Sequence, residues 1–112
     1  MVTRIEKPWG YEVIFAHTKQ YVGKILNIKK GHKLSLQYHK EKDETVYLHA
    51  GKMTLEIHSD NSINSIKMLP GMNFHITPNT IHRMIAEEDC EVLEASTTQL
   101  DDVVRVEDDY GR

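Results

Sequence analysis

Three side chains able to ligate a cation, Gln37, His39 and Glu44, fall between Gly31 and Gly51 in the stretch GHKLSLQYHKEKDETVYLHAG. Side chains two apart in an extended strand share a face, so Gln37 and His39 point to one spot if residues 35–39 are extended. The polar run Lys40, Glu41, Lys42, Asp43 reads as a hairpin loop that returns the chain beside His39. Glu44 then opens a second strand, residues 44–50, with Val46 and Leu48 on its own side. An amide oxygen, an imidazole and a carboxylate brought together in this way would bind a metal ion.

The elements that must hold these residues are short strands. Residues 11–15 are aromatic and β-branched after the turn signal Pro8-Trp9-Gly10, and residues 21–28 follow a polar loop. Residues 52–58 alternate strictly, with Met53, Leu55 and Ile57 on one face and Thr54, Glu56 and His58 on the other, the pattern of a half-buried strand. Further strands are expected at 63–69, 74–77, 82–86 and 91–96, separated by Ser59-Asp60-Asn61-Ser62, Pro70-Gly71 and Pro78-Asn79. A helical period is missing before residue 98. Thr98, followed by Leu100, Asp101, Asp102 and Val103, predicts one short C-terminal helical turn with acids near its start. Evenly spaced strands punctuated by Gly, Pro and Asn predict an all-β sandwich or jelly roll.

Composition narrows the class. At 112 residues, 39% hydrophobic and 28% charged, the chain fits one globular domain spanning residues 1–112. A net charge of −3 with both signs interspersed offers no footprint for nucleic acid or an anionic membrane, and neither partner is expected. The single cysteine, Cys90, excludes an intrachain disulfide, and its acidic neighbours disfavour a reactive thiolate. The first residues lack the apolar core of a signal peptide and no apolar run approaches membrane-spanning length, so a cytoplasmic location is expected.

The spacing from Gly31 through Gln37, His39 and Glu44 to Gly51 resembles the first motif of the cupin superfamily, with Gln37 where most members carry His. The run Leu34-Ser35-Leu36-Gln37 is similar to the cupin domain of type II mannose-6-phosphate isomerases. So are the opening segment Lys7-Pro8-Trp9-Gly10-Tyr11-Glu12-Val13 and the closing segment, residues 101–112. Residues 71–86 resemble the second cupin motif and put His82 at its ligand position, although Thr77, Asn79 and Ala86 depart from that motif's usual Pro, Gly and Asn.

This resemblance implies a jelly-roll barrel and a divalent metal held by Gln37, His39, Glu44 and His82. Two imidazoles, a carboxylate and an amide suit Zn²⁺ foremost, and also Mn²⁺, Fe²⁺ or Ni²⁺. It further implies interconversion of mannose 6-phosphate and fructose 6-phosphate, which asks for a Lewis acid, a base that moves a proton between C1 and C2, and cations for the phosphate. Lys33, Glu107 and His75 are candidate bases, and Arg105 is a candidate for stabilising enediolate charge. Lys33, Arg83 and Arg112 are candidate phosphate ligands, and Tyr110, with Trp9 and Tyr11, is a candidate frame for the mouth. Surface ion pairing also accounts for Arg105 and Arg112, a solvated position beside His82 for Arg83, and core packing for Trp9. No Gly-rich nucleotide loop accompanies the cupin segment. A non-catalytic sugar-binding or regulatory cupin, or a cupin enzyme acting on another small molecule, remains open beside the isomerase. Exposed sheet edges in so small a barrel predict a homodimer.

Overall fold

Residues 2–112 are described by the computed structural model. Eleven strands form: β1 (Thr3–Lys7), β2 (Gly10–His17), β3 (Val22–Ile28), β4 (Leu36–Tyr38), β5 (Glu44–Ala50), β6 (Met53–Ser59), β7 (Ser62–Met68), β8 (Asn73–Ile76), β9 (Ile81–Ala86), β10 (Cys90–Ser96) and β11 (Val104–Glu107). They divide into a six-stranded sheet, β1-β2-β3-β10-β5-β8, and a five-stranded sheet, β11-β4-β9-β6-β7, with all pairings antiparallel. The two sheets face each other as a jelly roll.

Alternation drives the packing. Met53 and Leu55 of β6, Val46 and Leu48 of β5 and Val92 of β10 are fully buried between the sheets. Removing side chains of this size from water stabilises the fold by roughly 1.5–3 kcal/mol apiece. The inner face is not apolar throughout, because one end of the barrel stays open as a cavity of about 410 Å³. Gly51 makes the crossing from β5 to β6 with φ +94°, and a Cβ there would meet the Asp89 carbonyl oxygen at 2.2 Å. A left-handed backbone and so close an approach leave glycine as the residue that fits.

Two sequence expectations need correction. The segment 40–43 is not a hairpin loop, since β4 lies in the five-stranded sheet and β5 in the six-stranded one. It carries the chain from one wall of the barrel to the other. The C-terminal helical turn is also absent, and no helix occurs among the described residues. Residues 97–103 form tight bends, with the Leu100 amide donating to the Thr98 carbonyl and the Val103 amide to that of Asp101. Asp102 does not serve that turn. Its carboxylate accepts hydrogen bonds from the amides of Lys40, Glu41 and Lys42 at 3.0, 2.7 and 2.9 Å, which pins the two loops together. Accordingly, no helix is long and apolar enough to cross a membrane.

Candidate metal centre

The cavity floor draws on both sheets. Gln37 on β4 stands directly across the ladder from His82 on β9, so both side chains project to the same face. His39 follows β4, and Glu44 begins β5 on the facing sheet. Glu44 Oε1 lies 3.1 Å from His39 Nε2 and 3.4 Å from His82 Nε2, and all three residues are buried. Gln37 lines the cavity with His39 and Glu44, its Oε1 accepting a hydrogen bond from Ser35 Oγ at 2.9 Å.

The hydrogen bonds behind the rings fix their tautomers. His39 Nδ1 lies 2.6 Å from the Asp102 carbonyl oxygen and His82 Nδ1 lies 2.8 Å from that of Thr80. A carbonyl can only accept, so each Nδ1 carries a proton, and a ring in its neutral form turns an Nε2 lone pair toward Glu44. Two lone pairs aimed at a carboxylate repel unless positive charge lies between them. His82 Nε2 and Glu44 Oε2 also lack a hydrogen-bond partner despite complete burial. Either added protons or one divalent cation resolves the arrangement. A first-row cation fits: ligand bonds of about 2.1 Å put neighbouring donors about 3.0 Å apart at right angles and about 3.4 Å apart at tetrahedral angles. Burial opposes ionisation of Glu44, yet where the rings carry Nε2 protons as well, hydrogen bonds from His39 and His82 and the charge of Lys42 hold its carboxyl well below the ordinary range.

An ionic wall continues from this floor along the six-stranded sheet. Lys42 Nζ lies 3.3 Å from Glu44 Oε2 and 3.0 Å from Glu94 Oε2, close enough to pair but off the line of a good hydrogen bond. Lys24 sits across the ladder from Glu94 and 3.6 Å from Glu12, and Lys7 lies 3.8 Å from the same Glu12. Burial, followed by the charge of Glu44, pushes the Glu94 carboxyl up to about 7. Lys42 is raised in spite of burial, because Glu94 and Glu44 favour its charged form. The sequence reading missed this wall, although its signal was present: Glu12, Lys24 and Glu94 occupy inward parity positions in otherwise apolar strands.

The remaining candidates separate by face. Arg105 pairs across the ladder with Gln37 and lines the cavity, as do Trp9 and Arg112, the latter also bonded to Asp108 at 3.0 Å. Lys33 does not line it. Lys33 bridges Ile85 while Gln37 pairs with His82, so one extra residue intervenes on the β4 side and puts Lys33, four residues before Gln37, on the opposite face. Its ammonium instead lies 3.3 Å from Asp109. Glu107 is likewise turned away from the cavity, because the register shift between Arg105 and Glu107 pairs it with Leu36 on the other face. Arg83 faces opposite to His82, where it donates to the Leu34 carbonyl at 2.9 Å and lies 3.5 Å from Asp109. Tyr110 stacks on His32 with its hydroxyl 2.9 Å from Nδ1, and His75 pairs with Asp43 at 2.7 Å on the surface; neither lines the cavity.

Comparison with known proteins agrees with this fold. Among solved structures, the capsular polysaccharide assembling protein CapF from Staphylococcus aureus superposes with a TM-score of 0.84 at 15% identity, over 96% of this chain and 34% of that one. KdgF from Halomonas sp. gives 0.76 at 20% identity, over 88% of this chain and 90% of that one. Oxalate decarboxylase from Bacillus subtilis, which has Mn(II) centres, gives 0.79 at 17% identity, over 92% and 29% respectively. The chain thus spans about a third of CapF and most of KdgF. At these identities the likeness establishes the fold, and sequence comparison with curated proteins gives no match. The family described as mannose-6-phosphate isomerase C-terminal matches residues 1–108, and the chain therefore belongs to that family of cupin domains.

Proposed function

We propose that this cupin is a metal-dependent aldose–ketose isomerase acting on a sugar phosphate, with mannose 6-phosphate and fructose 6-phosphate as its substrate pair. The observation that carries the reading is the buried His39–Glu44–His82 cluster, lone pairs converging, at the floor of a cavity whose lining includes the cations Lys7, Lys24, Arg105 and Arg112. His39, Glu44 and His82, with Gln37 beside them, would hold the metal, Zn²⁺ foremost, and when bound it would supply Lewis acidity toward the substrate's carbonyl and adjacent hydroxyl oxygens. Arg105 stands two strands from His82 and reaches the cavity, where its guanidinium suits enediolate or phosphate charge. Proton transfer between adjacent carbons needs a base on the cavity lining, which Glu12, Glu94 and Asp101 provide and Lys33 and Glu107 do not.

That outward turn of Lys33 and Glu107 favours a second reading, a cupin that binds a sugar without turnover. A coupled assay decides between them. Metal-loaded protein given mannose 6-phosphate should form fructose 6-phosphate, and a chelator should abolish the activity. Tight binding of the sugar phosphate without product would establish the binding module. We infer also that two copies pair. Phe15 and Tyr47 are large and exposed on the outer face of the six-stranded sheet, and sedimentation of the isolated protein as a monomer at micromolar concentration would refute pairing.

A further inference from the structure

Glu44 is approached from two sides. Its Oε1 faces both histidines, while its Oε2 faces the ammonium of Lys42 at 3.3 Å. The same ammonium lies 3.0 Å from Glu94 Oε2, so one buried lysine occupies an oxygen of each carboxylate. Its backbone is held too, because the Lys42 amide donates to Asp102, whose carbonyl accepts from His39. The loop that positions one metal-binding imidazole therefore also aims the ammonium.

We propose that Lys42 is the positioning residue that limits Glu44 to one-oxygen ligation and holds Glu94 out of the coordination sphere, a role that rests on the metal-centre reading above. A carboxylate can chelate a cation through both oxygens only if the second one turns toward it. The ammonium opposes that turn, since rotation of Oε2 toward the cation would separate it from Nζ and leave a buried charge unpaired. Glu94 is restrained by the same contact. With one oxygen from Glu44 and none from Glu94, neighbouring coordination positions stay open on the cavity side, as needed by a substrate offering two adjacent oxygens. Replacing Lys42 by an uncharged side chain removes the restraint on both acids at once, and oxygen donors then fill the open positions.

Cobalt(II) is a suitable probe, because its visible bands weaken as oxygen donors are added and the coordination number rises. The wild-type protein, K42M, K42Q and K42R are each titrated with Co²⁺, and the metal-free forms are melted as a control for folding. K42M should bind Co²⁺ with visible bands roughly two-fold weaker or more than wild type, as expected for a higher coordination number. K42R, which keeps a cation against both carboxylates, should restore the wild-type spectrum. Should K42M not fold, K42Q carries the same expectation. A folded Met or Gln variant whose spectrum superimposes on wild type overturns the role of Lys42 and leaves the metal centre intact. A wild-type protein that takes up no Co²⁺ overturns both.

Discussion

Glu94 makes stability depend on pH in a calculable way. Its carboxyl is buried on the cavity wall, and burial, then repulsion from Glu44, outweighs attraction to Lys42 and Lys24 and raises it from the ordinary 4.5 to about 7. A group whose affinity for protons is greater in the folded state makes the fold more stable below that window and less stable above it. Stability should therefore decline as pH rises from about 4.5 and level off above about 7. Each unit of displacement is worth 1.36 kcal/mol, so the full displacement corresponds to about 3 kcal/mol. Glu94→Gln imitates the protonated side chain without its titration. Denaturant unfolding in the presence of a chelator, followed by the fluorescence of the sole tryptophan, Trp9, should show the gap between variant and wild type widening with pH. The variant should gain about 3 kcal/mol relative to wild type between pH 4.5 and 8. Titrating groups that do not touch Glu94 are common to both proteins and cancel in the difference. Parallel stability curves over that range would refute the account of the buried acid.

Other perturbations test the centre and its supports. His82→Ala should abolish stoichiometric binding of Zn²⁺ or Mn²⁺ in calorimetric titration while the far-ultraviolet spectrum stays β-type; its loss should exceed the roughly 10–100-fold in affinity expected for an outer-shell partner. Asp102→Asn removes a carboxyl that the amides of Lys40, Glu41 and Lys42 hold down at about 2. The contribution of a depressed acid is present above its ordinary value and lost as pH falls through the folded value, so the variant should be the less stable protein at pH 7. That deficit should vanish near pH 2 in acid titrations of urea unfolding. Leu48→Ala, at a site with no exposure, should cost about 2–5 kcal/mol in the same measurement. Gly51→Ala should lower the melting temperature, since its Cβ collides with the Asp89 carbonyl; an unchanged melt would show that the crossing relaxes easily.

Local pattern carried much of the fold because strand alternation is local. Met53, Leu55 and Ile57 point inward as their spacing requires, and Gln37 and His39 share the cavity as their separation by two implies. Errors arose where distant partners decide. Lys33 and Glu107 were candidate bases, and in each case one unpaired residue, visible only in the register against β9 or β4, turns the side chain away from the cavity. The hairpin reading of 40–43 failed because polarity marks a turn without saying which sheet receives the returning strand. The helical turn failed because Asp102 spends its hydrogen-bonding capacity on a loop about sixty residues away, a competition that local capping preferences do not include. The ionic wall lay at countable positions, but buried charges look unfavourable until their partners on neighbouring strands are known.

The offset at Val106 decides which way the end of the last strand looks. Arg105 looks inward and Glu107 outward because one surplus residue separates their pairings with Gln37 and Leu36. Deleting Val106 would close the offset and leave Glu107 beside Leu36 and facing solvent, whereas drawing Val106 into the ladder opposite Leu36 would carry Glu107 opposite Ser35 and into the chamber. Chemistry at this rim can thus be rewritten by a one-residue slide of the terminal strand, with no change in the residues themselves.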